Sequence, residues 1–202
     1  MRLHPVGADA LLVELDDTAA ATALYRAALA GGVEARDIVP AAQTVLFDGL
    51  ADRERVAAEL SRWSGPSGPD PAGGTAPGFV EVPTVYDGPD LEDVARFWQM
   101  TTADVVATHT STEFTVGFCG FAPGFPYCTG LPPGLHVPRL DIPRPRVPAG
   151  SVGLAGEFTG IYPSASPGGW RLLGRTDLTL WDGERDQPAT LPPGTRVRFV
   201  QA

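Results

Sequence analysis

The segment PRLDIPRPRVPAGS carries three arginines, Arg139, Arg144 and Arg146, separated by prolines. A guanidinium offers a planar fork of N–H donors that matches a carboxylate or phosphate at two points. Proline fixes φ and stiffens the chain, so these side chains are aimed at small entropic cost. Between residues 111 and 176, five arginines (139, 144, 146, 171 and 175) stand against Glu113, Asp141 and Glu157, which makes this stretch locally positive. Spacing alone fits two roles equally: anion binding, or ion pairing with Asp141, Glu157 or backbone carbonyls. Ser151 lies in Gly150-Ser151-Val152-Gly153, where glycines beside a hydroxyl suit a backbone cradle for an anion or a tight hairpin turn.

Upstream, the loop GFCGFAPGFPYCTG sets Phe118, Phe121, Phe125 and Tyr127 among glycines and prolines. Such an aromatic-rich irregular loop is costly to hold unless it fills a core, lines a pocket or meets a partner. His109 and Glu113 are four apart near the end of a short helix, which is half a metal site at best, so no metal site is expected. Cys119 and Cys128 are nine apart, neither a zinc spacing nor a redox pair, and no histidine neighbours them in sequence to lower a thiol pKa.

These residues need a scaffold. Ala10–Glu14 reads as a strand, Asp16, Asp17 and Thr18 as caps of a helix ending at Gly31-Gly32, and 36–39 and 44–47 as two strands. Asp52 caps a second helix carrying Val56, Leu60 and Trp63 on one face. With a strand at 79–82, the order is β-α-β-β-α-β, that of a ferredoxin-like unit. Nine of the fifteen residues at 64–78 are Gly or Pro, which predicts a linker between domains at 1–78 and 79–202. Short helices follow at 90–99 and 103–108. The second lacks any basic residue and carries Asp104, which argues against a DNA-reading pair. Beyond residue 110, short strands and Gly/Pro turns predict a small β-barrel or sandwich.

Composition limits the function. The 202 residues carry a net charge of −9, which disfavours nucleic-acid binding, and all 15 basic residues are arginine. The absence of lysine removes a Schiff base, a P-loop lysine and a Ser-Lys pair. No apolar stretch has membrane length and no signal-peptide core is present, so a cytoplasmic protein with reduced cysteines is expected.

The runs GFAPGFPY, PRPRVPAGSVGLAG and IYPSASPGGWRLLGRT together resemble the B subunit of the bacterial ATP-dependent 5-oxoprolinase. Members of that family are also called allophanate hydrolase subunit 1 or Kip-type inhibitors of a sensor histidine kinase. The likeness is dense from 117 to 176 and weaker elsewhere. Pro40 to Leu46 departs from the family's P-x-Y-R-S-L form, without its tyrosine and arginine. The resemblance implies an α+β chain, with a small α/β N-terminal domain and a cyclophilin-like β-barrel C-terminal domain. It implies partners, the C subunit and a hydrolytic third subunit, and ATP with its Mg2+, shared with the partner. The implied reaction is phosphorylation of 5-oxo-L-proline for ring opening to L-glutamate, with this chain inactive alone. Kinase inhibition and allophanate or urea amide hydrolysis are the alternatives. On this reading Arg139, Arg144, Arg146, Ser151 and Arg175 bind substrate or anion. Phe121, Pro123, Phe125, Tyr127, Tyr162 and Trp170 form a pocket or interface, and His109 and Glu113 are the acid–base candidates.

Overall fold

The computed structural model describes residues 1–63, 65 and 79–202. The chain divides into two compact units, Met1–Ala76 and Pro77–Ala202. The stretch read as a linker, 64–78, lies outside the described residues apart from Gly65.

In the first unit, β1 (Arg2–Val6), β2 (Ala10–Glu14), β3 (Asp37–Pro40) and β4 (Thr44–Asp48) form an antiparallel sheet in the order β1-β2-β4-β3. Helices α1 (Thr18–Ala30) and α2 (Arg53–Leu60) start where short acidic side chains catch free N–H groups. Asp17 accepts from Ala20 N–H and Asp52 from Arg55 N–H. Leu11, Val13, Val45 and Phe47 of the sheet bury against Leu24, Ala28, Val56 and Leu60 of the helices.

This is a ferredoxin-like sheet with its last strand exchanged. The strand at 79–82, expected to complete it, belongs to the second unit, and β1 occupies the edge beside β2. A hairpin made with the next strand closes a far shorter loop than a return from α2. Its sequence signal is weak because RLHPV is mostly exposed and contains Pro5, which an edge strand tolerates.

The second unit opens with β5 (Phe79–Thr84), then α3 (Leu91–Trp98) and α4 (Thr102–Ser111). Thr101 and Asp104 form a reciprocal capping box that starts α4. The strands β6 (Phe114–Cys119), β7 (Pro126–Thr129), β9 (Ser151–Ala155), β10 (Phe158–Ile161), β12 (Arg171–Arg175) and β13 (Arg196–Gln201) join β5 in one sheet. Its order is β12-β9-β10-β7-β6-β13-β5. A bridge closes the ring: Val85 and Arg175 exchange two N–H···O bonds of 2.9 Å, tying the chain after β5 to β12. Gly174 permits that approach, since a Cβ there would lie 2.1 Å from the Val85 carbonyl oxygen. The expected α+β class, with a ferredoxin-like unit and a barrel, is the architecture found.

Strand alternation sorts the barrel's side chains into two cores. Phe114, Val116, Leu154, Ile161, Leu173 and Phe199 pack with Trp98 and Val105 of the helices. A separate cluster holds Phe125, Val147, Ala155, Tyr162, Trp170 and Leu172, with Tyr127 and Phe158 against it. Val147 reaches it from β8 (Arg144–Val147), which pairs with β11 (Ser166–Gly168) as a two-stranded ribbon.

Candidate functional site

The second cluster is built from the aromatic loop and the arginine ribbon that the sequence singled out. Phe125 is its hub, with ring centroids 5.1 Å from Tyr127, 5.0 Å from Tyr162 and 5.2 Å from Trp170. Gly160 leaves room for it: a Cβ there would lie 2.9 Å from the Trp170 ring and 3.1 Å from the Phe125 ring. Burial raises the Tyr162 hydroxyl pKa. Phe121 differs from the others. It is 64% exposed, stands edge-on to Phe125 at 5.4 Å, and holds a left-handed φ of 68°. A bulky residue at positive φ costs on the order of 1–3 kcal/mol, and such strain gathers at functional loops. Pro123 is exposed in the same loop.

The candidate arginines separate into two groups. Arg144 donates to Asp90 at 2.7 Å and to the Trp170 carbonyl at 3.4 Å. Asp90 is buried, and its other oxygen accepts from Leu172 N–H at 2.7 Å. Arg144 therefore ties the ribbon to the barrel, with its guanidinium already held by Asp90. Arg175 donates to Asp87 at 3.0 Å and lines a cavity of about 240 Å³ with Pro83, Val85, Thr176 and Leu178, apart from the aromatic cluster. Ser151 is buried in β9 and its carbonyl accepts from Tyr162 N–H at 2.9 Å, so it serves the sheet. Arg139 and Arg146 are exposed, and among the described residues neither makes an ion pair, whereas Arg96, Arg171, Arg185, Arg196 and Arg198 of this unit all do. Burial raises the Tyr127 and Tyr162 hydroxyl pKa values, and the Arg139 charge opposes the rise.

The acid–base candidates are not brought together. His109 is fully buried between Phe114 and Phe199. Its Nδ1 lies 2.7 Å from the Tyr86 hydroxyl and its Nε2 2.9 Å from Thr159 Oγ1. Thr159 donates to the Gly153 carbonyl, so it accepts from Nε2–H, and Nδ1 accepts from Tyr86. Desolvation pulls the His109 pKa down to about 3 and pushes Tyr86 far up. Glu113 is at the surface, held by Arg196 at 2.9 and 2.7 Å, and that bond lowers its pKa. Burial raises Cys119 to about 11 and Cys128 further, which makes both inert.

Residues 1–191 match the family described as "Carboxyltransferase domain, subdomain C and D". The chain belongs to this family. It is 53% identical over 125 residues to the B subunit of 5-oxoprolinase from Escherichia coli O157:H7, covering 60% of this chain and 57% of that protein. It is 48% identical over 124 residues to the protein of the same name from Haemophilus influenzae, covering 60% and 58%. The matched stretch thus spans under two thirds of either relative. The crystal structure of TTHA0988 superposes with a TM-score of 0.78 at 34% identity, covering 96% of this chain and 40% of that one.

Within this carboxyltransferase-domain chain, sequence reasoning missed Asp90, which reaches Arg144 from 54 residues away. Its one signal was an acidic residue just before a helix whose side chain caps nothing. No helix among the described residues is long and apolar enough to cross a membrane. The buried His109 has a measurable consequence. The unfolded chain takes up its proton near pH 6.5 while the folded barrel resists until about pH 3. Its share of stability is therefore complete above pH 6.5 and is lost as pH falls through that window, at about 1.4 kcal/mol per unit. Urea titrations at pH 6.5 and 5.0 should show that loss in the native chain and not in His109→Gln. An equal acid loss in both would remove His109 as its cause.

Proposed function

We propose that this chain is the B subunit of an ATP-dependent 5-oxoprolinase. It acts with a C subunit to phosphorylate 5-oxo-L-proline, and a third partner then completes ring opening to L-glutamate. The observation that carries this reading is the 53% identity to the B subunit of a 5-oxoprolinase. The site agrees with it chemically. Phosphoryl transfer rests on positioning and charge stabilisation, and Arg139 and Arg146, both exposed and without an ion-pair partner among the described residues, are the charges this reading assigns to it. They fit a substrate carboxylate or an ATP phosphate. The described residues contain no group of three or more His, Cys, Asp or Glu suited to a metal, so this reading leaves Mg2+ to the ATP phosphates and the partner.

His109 and Glu113 take no part in this chemistry, one being sealed in the barrel core and the other ion-paired at the surface. The reading therefore places the proton-transferring groups on the partner subunits, and the chain is inactive alone in a cytoplasmic hetero-oligomer. The test is 5-oxoproline-dependent ATP hydrolysis by the pure chain and by the mixture with both partners. Turnover in the mixture alone is expected, and steady turnover by the pure chain would contradict the hetero-oligomer reading.

A further inference from the structure

Among the described residues, the single pair Val85–Arg175 joins the two ends of the barrel sheet. Carried further, that antiparallel ladder would set Asp177 opposite Pro83 and Thr179 opposite Glu81. It stops for two reasons. Pro83 has no N–H to give. Thr176 donates its N–H to the Gly150 carbonyl at 2.9 Å, which draws the chain away from β5. Where the two segments part lies the cavity of about 240 Å³, with Pro83 and Val85 from one segment and Arg175, Thr176, Asp177 and Leu178 from the other.

The edge of β5 beside that cavity is open. β5 pairs with β13 in parallel, and a strand turns its N–H and C=O groups toward a given neighbour at every second residue. Thr84 turns toward β13, since its carbonyl accepts from Ala202 N–H, and Val82 and Val80 share its direction. Phe79, Glu81 and Pro83 point the other way, in line with Val85. No described residue pairs with them there. The N–H and C=O of Phe79 and Glu81 and the C=O of Pro83 therefore form a free row, and all three residues are exposed.

A row of this kind is a template on which an extended chain adds as a further strand. Charge selects the chain. Glu81 stands at the middle of the row and Asp177 lines the cavity, both are exposed, and neither has an ion-pair partner among the described residues. Arg175 is held by Asp87, and Arg198, level with Glu81 on β13, is turned to the Phe79 ring and Glu113. A second copy paired edge to edge about Glu81 would oppose two carboxylates, which destabilises a ladder. Residues 64–78, which lead into β5, hold four prolines and no basic residue.

We propose that the open edge of β5 takes up an extended segment of a partner polypeptide, antiparallel to it, with a basic residue opposite Glu81 and apolar residues opposite Pro83 and Phe79. Main-chain bonds to Phe79, Glu81 and Pro83 hold the segment. The basic side chain answers Glu81 and Asp177, and the apolar one opposite Pro83 meets Pro83, Val85 and Leu178 in the cavity. The inference does not depend on the reaction assigned to the chain.

The experiment is fluorescence anisotropy of labelled seven-residue peptides mixed with the full chain. The probe alternates threonine with valine, arginine and phenylalanine, in that order from its N-terminus. It should bind with a Kd below about 1 mM. Glutamate in place of its arginine should weaken binding about fivefold, the scale of one cross-strand charge pair. Methylating the arginine's backbone nitrogen removes the bond to the Glu81 carbonyl and should weaken binding about tenfold. Glu81→Arg should reverse the preference, so that the glutamate peptide binds better. Glu81→Pro should weaken both peptides and leave the barrel folded, because the lost N–H has no partner in the chain. Thermal unfolding verifies that each variant is folded. No binding of the arginine peptide, or binding indifferent both to the methyl group and to folded Glu81→Pro, would overturn the edge site. Equal affinity for the arginine and glutamate peptides would overturn the basic partner. A concentration-dependent dimer of the chain that Glu81→Pro abolishes would assign the edge to a second copy and overturn the proposal as well.

Discussion

Arg144→Ala should lower the stability of the barrel unit by about 3–5 kcal/mol, the usual cost of leaving one member of a buried ion pair behind. Asp90 is only 5% exposed at its side chain, against 27% for Arg144, so removing the arginine strands the more buried charge. Its remaining partner would be the Leu172 N–H. Asp90→Ala should cost less, because Arg144 can turn toward water and the bare Leu172 amide costs about 1–3 kcal/mol. The double variant should lose well under the sum of the two, since neither charge is then stranded. Urea unfolding followed by tryptophan fluorescence measures all three. A stable Arg144→Ala variant, changed by under about 1 kcal/mol, would return Arg144 to the ligand-binding arginines.

Arg146→Ala should act on turnover instead. Arg146 lies between Pro145 and Pro148, and it has no carboxylate partner among the described residues, so its loss breaks no internal pair. If it holds a substrate carboxylate or phosphate, the missing charge-assisted bond is worth about 1.5–3 kcal/mol. That is roughly a 10- to 150-fold fall in kcat/KM, with stability within about 0.5 kcal/mol of the parent. Arg146→Lys should recover little, because an ammonium cannot reproduce a two-point fork. The assay uses the reconstituted complex, with gel filtration confirming assembly. A folded, assembled Arg146→Ala variant with parental turnover would exclude Arg146 and leave Arg139 as the anion binder.

Local rules made much of the fold legible. The caps at Asp17 and Asp52 and the strands at 10–14 and 44–47 are statements about neighbours in sequence, and each stands in the structure. The strand at 79–82 was found, but its sheet was not, because six register pairs with β13 join it to residues more than a hundred positions away. The same distance hid Asp90. Proline-stiffened arginines advertise anion binding whether or not a distant carboxylate awaits them, so Arg139, Arg144 and Arg146 read alike in sequence and differ only once Asp90 has its place. His109 illustrates the converse. Four-residue spacing to Glu113 suggested a pair, yet α4 ends between them, which turns the histidine into the barrel and leaves the glutamate to Arg196.

The proposed B-subunit reading is tested most directly by the rate of ATP hydrolysis when this chain is combined with the C subunit and the third partner that the proposal calls for, with and without 5-oxo-L-proline. ATP turnover should require 5-oxo-L-proline, require all the subunits, and yield L-glutamate. ATP turnover by the assembled complex that ignores 5-oxo-L-proline, or none at all from an intact complex, would contradict the assignment.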